Sequence, residues 1–293
     1  MLVTQSSGKF LKRKHSLLLG EDLLDLTHPC VMGVINLTPD SFYDGGLIKN
    51  ETELLEKVEQ MVIDGASVID LGAVSTRPGS EPPPLNEELD RLLPAVKSIH
   101  KYFPEIPISI DTYRSWIAVR VFEEVGPVIV NDISGGTLDS KMFETIGLLK
   151  IPYILTHMQG SPKTMQDNPT YTDVVREVAA SLSEGVRQLT KAGAHEVMID
   201  PGFGFGKTVM HNYQLLNRLD ALKVYQLPVV VGVSRKSMIW KVLETDPSDA
   251  LNGTTVLNTM ALLGGADLLR VHDVKEAVDA IRLFLQLKDS LDA

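Results

Sequence analysis

Cysteine is nearly absent from the 293 residues: Cys30 is the single one. One thiol forms no disulfide within the chain and supplies no cysteine-based metal site, which needs several thiolates. Its place just before an apolar run marks it as a buried structural thiol rather than a reactive one. Positive charge is also in deficit, since 28 Lys and Arg stand against 38 Asp and Glu for a formal net charge of −10. That balance argues against nucleic acid or an anionic membrane as the partner, because either needs net or patchy positive charge. A local basic cluster on so acidic a chain would instead mark an anion site. Long apolar runs are missing as well: no stretch reaches the ~18 residues of a membrane span. Lys9, Lys12, Arg13 and Lys14 precede Leu17-Leu18-Leu19, but that stretch is too short for a signal peptide and runs into Glu21 and Asp22. The cytoplasm is the expected compartment, with a mitochondrial presequence as the alternative. No Pro/Gly/Ser linker divides the chain and no short-period repeat is visible.

What is present suits a soluble domain with a sizeable core: 44% hydrophobic and 23% charged residues. Eight short apolar runs recur: Val31–Asn36, Ser67–Leu71, Ile106–Asp111, Val128–Asn131, Pro152–Thr156, Glu196–Asp200, Pro228–Gly232 and Asp267–Arg270. Most are rich in Val and Ile without polar alternation, the pattern of strands buried on both faces of a parallel sheet. Helical spacing fills the intervals. Leu54, Leu55, Val58, Met61 and Val62 share one face of Glu51–Asp64. Val174, Val175, Val178, Leu182, Val186 and Leu189 share one face of Tyr171–Ala192. Gly65 and Gly193 follow these helices, where a left-handed cap is wanted. Pro94 inside Asn86–Lys101 predicts a kink or two short helices.

Eight strands alternating with helices predict a single-domain (β/α)8 barrel spanning residues 30–293, with residues 1–29 as an extension or hairpin. An open doubly wound sheet is the alternative. Two long irregular segments, Leu37–Asn50 and Ser75–Leu85, are of the kind usually tied to function.

Polar residues follow each apolar run: Asn36; Thr76 and Arg77; Asp111; Asn131 and Asp132; His157; Asp200; Ser234-Arg235-Lys236-Ser237; Arg270 and His272. In a barrel these positions converge on the face that carries active sites. Asp111 and Asp200, with Asn131, end apolar strands and need partners, because a bare buried charge is costly. A flat heterocycle with several N–H donors would supply them; pairing with Arg or Lys across the barrel mouth is the alternative. Arg77, Arg235, Lys236, Arg270 and His272 on the same face suggest phosphate or diphosphate, although Arg235 alone fits a structural salt bridge as well.

Two features mislead. Gly202-Phe-Gly-Phe-Gly-Lys-Thr208 looks like a phosphate loop, yet Walker A needs Gly where Pro201 stands and the dinucleotide fingerprint needs Gly where Lys207 stands. Its glycines instead allow sharp turns that project Phe203 and Phe205. His157 has no second ligand at metal spacing nearby, so a pocket or core role is expected.

Met32 to Gly46, Ser75-Thr-Arg-Pro-Gly79, Ile110-Asp-Thr112, Asn131-Asp-Ile133, His157-Met-Gln-Gly160, Asp200 to Lys207, Ser234-Arg-Lys-Ser237 and Arg270 to Val274 come in the order of a known pattern. The sequence thereby resembles the dihydropteroate synthases over nearly its whole length. The resemblance implies a TIM-barrel transferase of folate biosynthesis, a sulfonamide target. Such an enzyme joins 6-hydroxymethyl-7,8-dihydropterin diphosphate to p-aminobenzoate and releases diphosphate. It implies a pterin pocket of Asp111, Asn131, Ile133, Met158, Asp200, Phe205, Gly232, Lys236 and Arg270. Diphosphate would meet Asn36, Thr76, Arg270 and His272; p-aminobenzoate would meet Phe42, Arg77, Pro78, Phe205 and Ser237. Asn36, Asp111, Asp200, Lys236 and Arg270 would carry the chemistry, with Mg²⁺ at Asn36 and Asp44. A homodimer is implied too, as is closure of the two long segments over the substrates.

The chemistry of the residues is compatible with that reading, since an arylamine needs no activated nucleophile and none is visible. One departure stands out: the family often carries Gly-Glu where this chain has Ala73 and Val74. A pterin-binding methyltransferase barrel would share the acids but has no use for Thr38-Pro-Asp-Ser-Phe42 or Ser234-Arg-Lys-Ser237. A non-catalytic paralogue has only Ala73-Val74 in its favour.

Overall fold

The computed structural model describes residues 16–37, 43–44, 47–48, 51–74 and 82–290. Its strands are β1 (Ser16–Leu19), β2 (Asp22–Asp25), β3 (Cys30–Asn36), the short pair β4 (Tyr43–Asp44) and β5 (Leu47–Ile48), β6 (Val68–Gly72), β7 (Ile108–Asp111), β8 (Ile129–Asp132), β9 (Tyr153–Thr156), β10 (Val197–Asp200), β11 (Val230–Val231) and β12 (Leu268–Val271). Its helices are α1 (Glu51–Ile63), α2 (Leu85–Tyr102), α3 (Ser115–Val125), α4 (Met142–Leu149), α5 (Val174–Lys191), α6 (Val209–Asn217), α7 (Ser237–Leu243), α8 (Leu251–Gly264) and α9 (Val274–Asp289).

Eight parallel strands lie in the order β10-β9-β8-β7-β6-β3-β12-β11. The two ends meet through a parallel bridge between Ile199 and Val229, with the Ile199 amide donating to the Pro228 carbonyl at 2.9 Å. The sheet is therefore a barrel, and the open doubly wound alternative falls. All eight expected staves form: β3 is one residue longer than its run, β6, β8 and β12 keep the length but sit one residue later, and the other four are shorter. The run from Pro228 shrinks to Val230–Val231 for a local reason. Pro228 has no N–H, and the Val229 amide donates to the Asp267 carboxylate at 2.8 Å instead of to a strand.

The helices follow the expected spacing with two corrections, at Val62 and at Pro94. In α1, Leu54, Val58 and Met61 are buried, but Val62 is exposed on the solvent edge of the face. In α5, Val174, Val175, Val178, Leu182 and Leu189 are buried, and the Asp173 carboxylate accepts from the Val175 and Arg176 amides to cap the start. Gly65 and Gly193 take the left-handed conformation at φ 100° and 88°. Pro94 does not divide α2, which runs unbroken. The carbonyl that Pro94 leaves without a helix donor belongs to Asp90, on the exposed side.

Alternation along the staves builds the interior in layers. Met32, Val68, Ile129, Ile154, Met198, Val230 and Leu268 form an apolar floor inside the barrel. Leu17, Leu24 and Leu26 pack onto that floor from below, so the β1–β2 hairpin closes the N-terminal end as a plug. The outward residues of the staves, such as Ile69, Leu71, Ile110 and Ile199, pack beneath the helices. Above the floor the inward positions turn polar. Asp70 lies opposite Ser109, and Gly72 opposite Asp111. The mouth of the barrel is thus chemically distinct from its base.

Candidate active site

Asp111, Asn131 and Asp200 sit at or beside the C-terminal ends of β7, β8 and β10, all buried and all facing the same mouth. The Asp111 carboxylate accepts from the Arg270 guanidinium at 2.8 Å. For this acid the cross-barrel ion pair is real, and Arg270 reaches across the mouth from β12. Burial raises the Asp111 pKa and the Arg270 charge opposes it. Among the described residues, Asp200 has no such partner at bonding distance. Its Oδ1 accepts from the Gly202 amide at 2.6 Å, and burial raises its pKa against the charge of Lys236. The Asn131 carboxamide points inward and donates to Asp70 at 3.3–3.4 Å.

Lys236 immediately precedes α7. Its ammonium donates to the Phe203 carbonyl at 2.5 Å and lies 4.7 Å from the centre of the Phe205 ring. Burial pushes its pKa down to about 8, with Asp200 opposing and Arg270 adding to the fall. Gly232 separates the two cations. A Cβ there would lie 3.7 Å from the Arg270 Cβ and 3.8 Å from the Lys236 Nζ, so glycine leaves a slot between them. Ile133 is buried and Met158 half-buried at the ends of neighbouring staves.

The glycine loop after β10 behaves as its sequence implied. Gly202, Gly204 and Gly206 have φ of 71°, 84° and 62°, which drives Phe203 into the core and leaves Phe205 half-exposed at the mouth. Lys207, passed over as part of a false phosphate loop, holds this loop shut. Its buried ammonium contacts His157 Nδ1 at 2.9 Å and the Gly202 and Phe205 carbonyls at 2.9 and 3.1 Å. An ammonium beside Nδ1 makes that nitrogen the acceptor, so the His157 proton resides on Nε2. Burial, then the Lys207 charge, pushes the His157 pKa down to about 3. His157 is a neutral core histidine.

Asn36 ends β3 in an exposed position beside Gly72. His272 keeps an exposed edge while its ring packs into the protein, and its Nδ1 lies 3.0 Å from the Ser234 hydroxyl. Its pKa falls to about 4, from the enclosure by surrounding protein first and the Arg270 charge second. Arg235 leaves the anion cluster: it grips Asp273 in a two-pronged bridge at 2.9 and 2.7 Å. Ser237 is the first residue of α7 and not its cap, a position that Lys236 holds. Phe42, Thr76, Arg77 and Pro78, and the side chain of Asp44, lie outside the described residues. Ala73, one of the two departures from the family pattern, is fully buried, and its carbonyl accepts from Arg91 at 3.2 Å.

Sequence reasoning missed Asp70, which is fully buried in the middle of β6. Its signal was available: a carboxylate inside a strand apolar on both faces requires partners. Ser109, two residues before Asp111 on the same inward face, carried a weaker version of that signal.

A parallel barrel with carboxylates, a carboxamide and two cations at its C-terminal mouth defines an enzyme-type site for a polar, donor-rich ring with an anionic substituent. The comparisons agree. Residues 32–272 match the family of pterin binding enzymes. The dihydropteroate synthase of Escherichia coli K12 is 43% identical over 262 residues, covering 89% of this chain and 92% of that one. Among solved structures, a Yersinia pestis dihydropteroate synthase with a sulfonamide drug superposes with a TM-score of 0.88 at 36% identity, covering 94% of this chain and all of that one (100%). A Thermus thermophilus dihydropteroate synthase in complex with 4-aminobenzoate gives 0.83 at 36% identity, over 93% of this chain and 100% of that one. The chain belongs to the pterin-binding enzymes and, within them, to the dihydropteroate synthase family.

Proposed function

We propose that the barrel mouth performs the dihydropteroate synthase reaction. The amine of p-aminobenzoate attacks the methylene carbon of 6-hydroxymethyl-7,8-dihydropterin diphosphate. A C–N bond forms, the C–O bond to diphosphate breaks, and the amine sheds a proton. The observation that carries this reading is the convergence of Asp111, Asn131 and Asp200 around one opening with Lys236 and Arg270. Two carboxylates accept from the N–H groups of the pterin edge, and a carboxamide serves donor and acceptor atoms alike. Lys236 suits the ring carbonyl, and Arg270 with His272 suits the diphosphate. Phe205, beside the Lys236 ammonium, offers an apolar wall for the aminobenzoate, and Ser237 follows Lys236 in the chain.

No protein nucleophile is required. The pterin ring stabilises positive charge on the methylene carbon, and the mouth stabilises the departing anion. Asn36 presents an amide oxygen at the open end of β3, and an oxygen-only donor set suits a hard cation that keeps phosphate oxygens among its ligands. Asn36 and Asp44 would hold Mg²⁺, which supplies charge to the leaving diphosphate when bound. We place the enzyme in the cytoplasm; no helix of the described residues is long and apolar enough to cross a membrane.

We also propose a homodimer built on α8 and α9. Val256, Met260, Leu263, Leu283 and Leu287 are exposed there, beside a groove of about 400 Å³, and contiguous apolar surface of this kind marks interfaces. Sedimentation with a Leu283→Glu variant tests it, a monomer being the expected product. The reaction is tested by diphosphate release, which should require both substrates and fall when a chelator removes Mg²⁺. Release with the pterin substrate alone would contradict the assignment.

A further inference from the structure

Asp70 is fully buried, and nothing in the mechanism uses it. All of its acceptor capacity is nevertheless spent at the site. Its Oδ2 accepts from Arg270 Nε at 2.7 Å and lies 2.6 Å from Arg270 Nη2. Its Oδ1 accepts from the Ser109 hydroxyl at 2.6 Å, and the Asn131 carboxamide leans on both oxygens at 3.3–3.4 Å. Asp111, by contrast, meets Arg270 through Nη2 alone, at 2.8 Å, from the rim of the same mouth. One guanidinium is thus shared between a deep acid that grips it twice and a rim acid that touches it once.

We infer that Asp70 is the positioning residue that anchors Arg270 and Asn131, leaving Asp111 free to exchange its arginine contact for the donor edge of the pterin. This rests on the dihydropteroate synthase reading. The argument is electrostatic. A pterin edge that donates to Asp111 competes with the Arg270 contact already there. If Asp111 were the sole carboxylate on Arg270, each binding event would leave the guanidinium to the incoming diphosphate alone, with no protein acid to fix its direction. Asp70 removes that conflict, because the guanidinium keeps its deeper bonds while its shared nitrogen lets go. It also fixes the direction in which Arg270 points, and hence where the anionic substituent lies. Asn131 is held by the same carboxylate, so one buried group sets two of the residues assigned to the pterin.

Substitution Asp70→Asn removes the charge and keeps the volume. Among the described residues, Asp111 is then the one carboxylate left in contact with Arg270, and the rim acid becomes occupied. Steady-state kinetics should show the pterin diphosphate KM raised about tenfold or more, with the p-aminobenzoate KM changed by less than about twofold. The double variant Asp70→Asn, Arg270→Met should lose far less than the product of the two single losses, because Asp70 acts chiefly through Arg270 and only its hold on Asn131 remains to be lost. A merely structural role would move both KM values or neither, and its effect would multiply with that of Arg270→Met. A folded Asp70→Asn enzyme with an unchanged pterin KM overturns the inference, as does a multiplicative double variant. If Asp70→Asn does not fold, Ser109→Ala decides. It keeps the charge but removes one donor, and a pterin KM raised about threefold supports the anchor while an unchanged one overturns it. Wild-type enzyme is the control throughout: absence of dihydropteroate there defeats the functional reading itself, whereas normal wild-type turnover beside an unchanged Asp70→Asn defeats only the role of Asp70.

Discussion

At Asp200 a carboxylate and a carboxamide of the same shape have opposite consequences. Oδ1 is engaged by the Gly202 amide, which leaves the other oxygen to meet a ligand. In Asp200→Asn, one of the two heavy atoms becomes a donor and faces the donors of the pterin edge. Mismatches of this kind cost about 1–3 kcal/mol, or roughly ten- to a hundredfold in affinity. Calorimetry with the pterin should register that loss while the melting temperature stays close to wild type; near-normal affinity would remove Asp200 from the ring site. Lys236 adds a pH signature at the same scale. Its pKa of about 8 lies below the ordinary lysine value because burial disfavours the ammonium. The ammonium, the form that donates to a ring carbonyl, is therefore present below about pH 8 and lost above it. The pterin KM should rise on that alkaline limb, and Lys236→Arg, which does not titrate there, should flatten it. A limb unchanged by the substitution would place the titration elsewhere.

Among the elements, α7 fixes how Ser237 can act. Lys236 occupies the cap position with no side-chain cap bond, and Ser237 is the first helical residue. Ser237→Ala therefore removes no cap, and the roughly 1 kcal/mol that a lost cap costs should not appear in the melting temperature. If Ser237 serves p-aminobenzoate, the same variant raises the KM for that substrate and weakens sulfonamides that mimic it, with the pterin KM little changed. A change in neither would exclude Ser237 from the site.

The same elements explain what could be read from sequence. Staves buried on both faces announce themselves as Val/Ile runs, and their polar ends announce the mouth, so Asp111, Asn131, Asp200 and Lys236 were visible in the chain order. Residues whose role depends on a distant partner were not. Arg270 reaches Asp70 across 200 positions, and neither spacing nor composition encodes that pairing. Arg235 fitted the cluster and a structural salt bridge alike, and only Asp273, 38 positions away in the chain, decides for the salt bridge. Lys207 hid inside a false motif, because its meaning comes from three backbone turns that fold back onto its ammonium. The β1–β2 hairpin was among the expectations for the segment before the first stave, but its place as a plug was not, since its target is a floor assembled from seven strands.

For the molecule as a whole, acid stability should carry the mark of His157. The imidazole is buried and neutral, and its Nδ1 receives the Lys207 ammonium at 2.9 Å. Its pKa in the folded chain is about 3, whereas an unfolded histidine titrates near 6.5. The folded value is depressed, so the contribution to stability is complete above roughly pH 6.5 and is lost as the pH falls toward 3. Each pH unit inside that window costs about 1.4 kcal/mol, because the unfolded chain takes up a proton that the folded one refuses. Protonating the folded ring would set two cations face to face in the loop that shapes Asp200 and Phe205. Carboxylates titrate over part of the same range, and those of Asp111 and Asp132, raised by burial, act in the opposite sense. The comparison that isolates the histidine is with His157→Asn, whose amide oxygen still accepts from Lys207 but binds no proton. Urea midpoints measured from roughly pH 7 down to pH 4 should show the variant gaining on wild type as the pH falls. A difference that stays constant across the range would mean that His157 is not the group whose protonation loosens the barrel mouth.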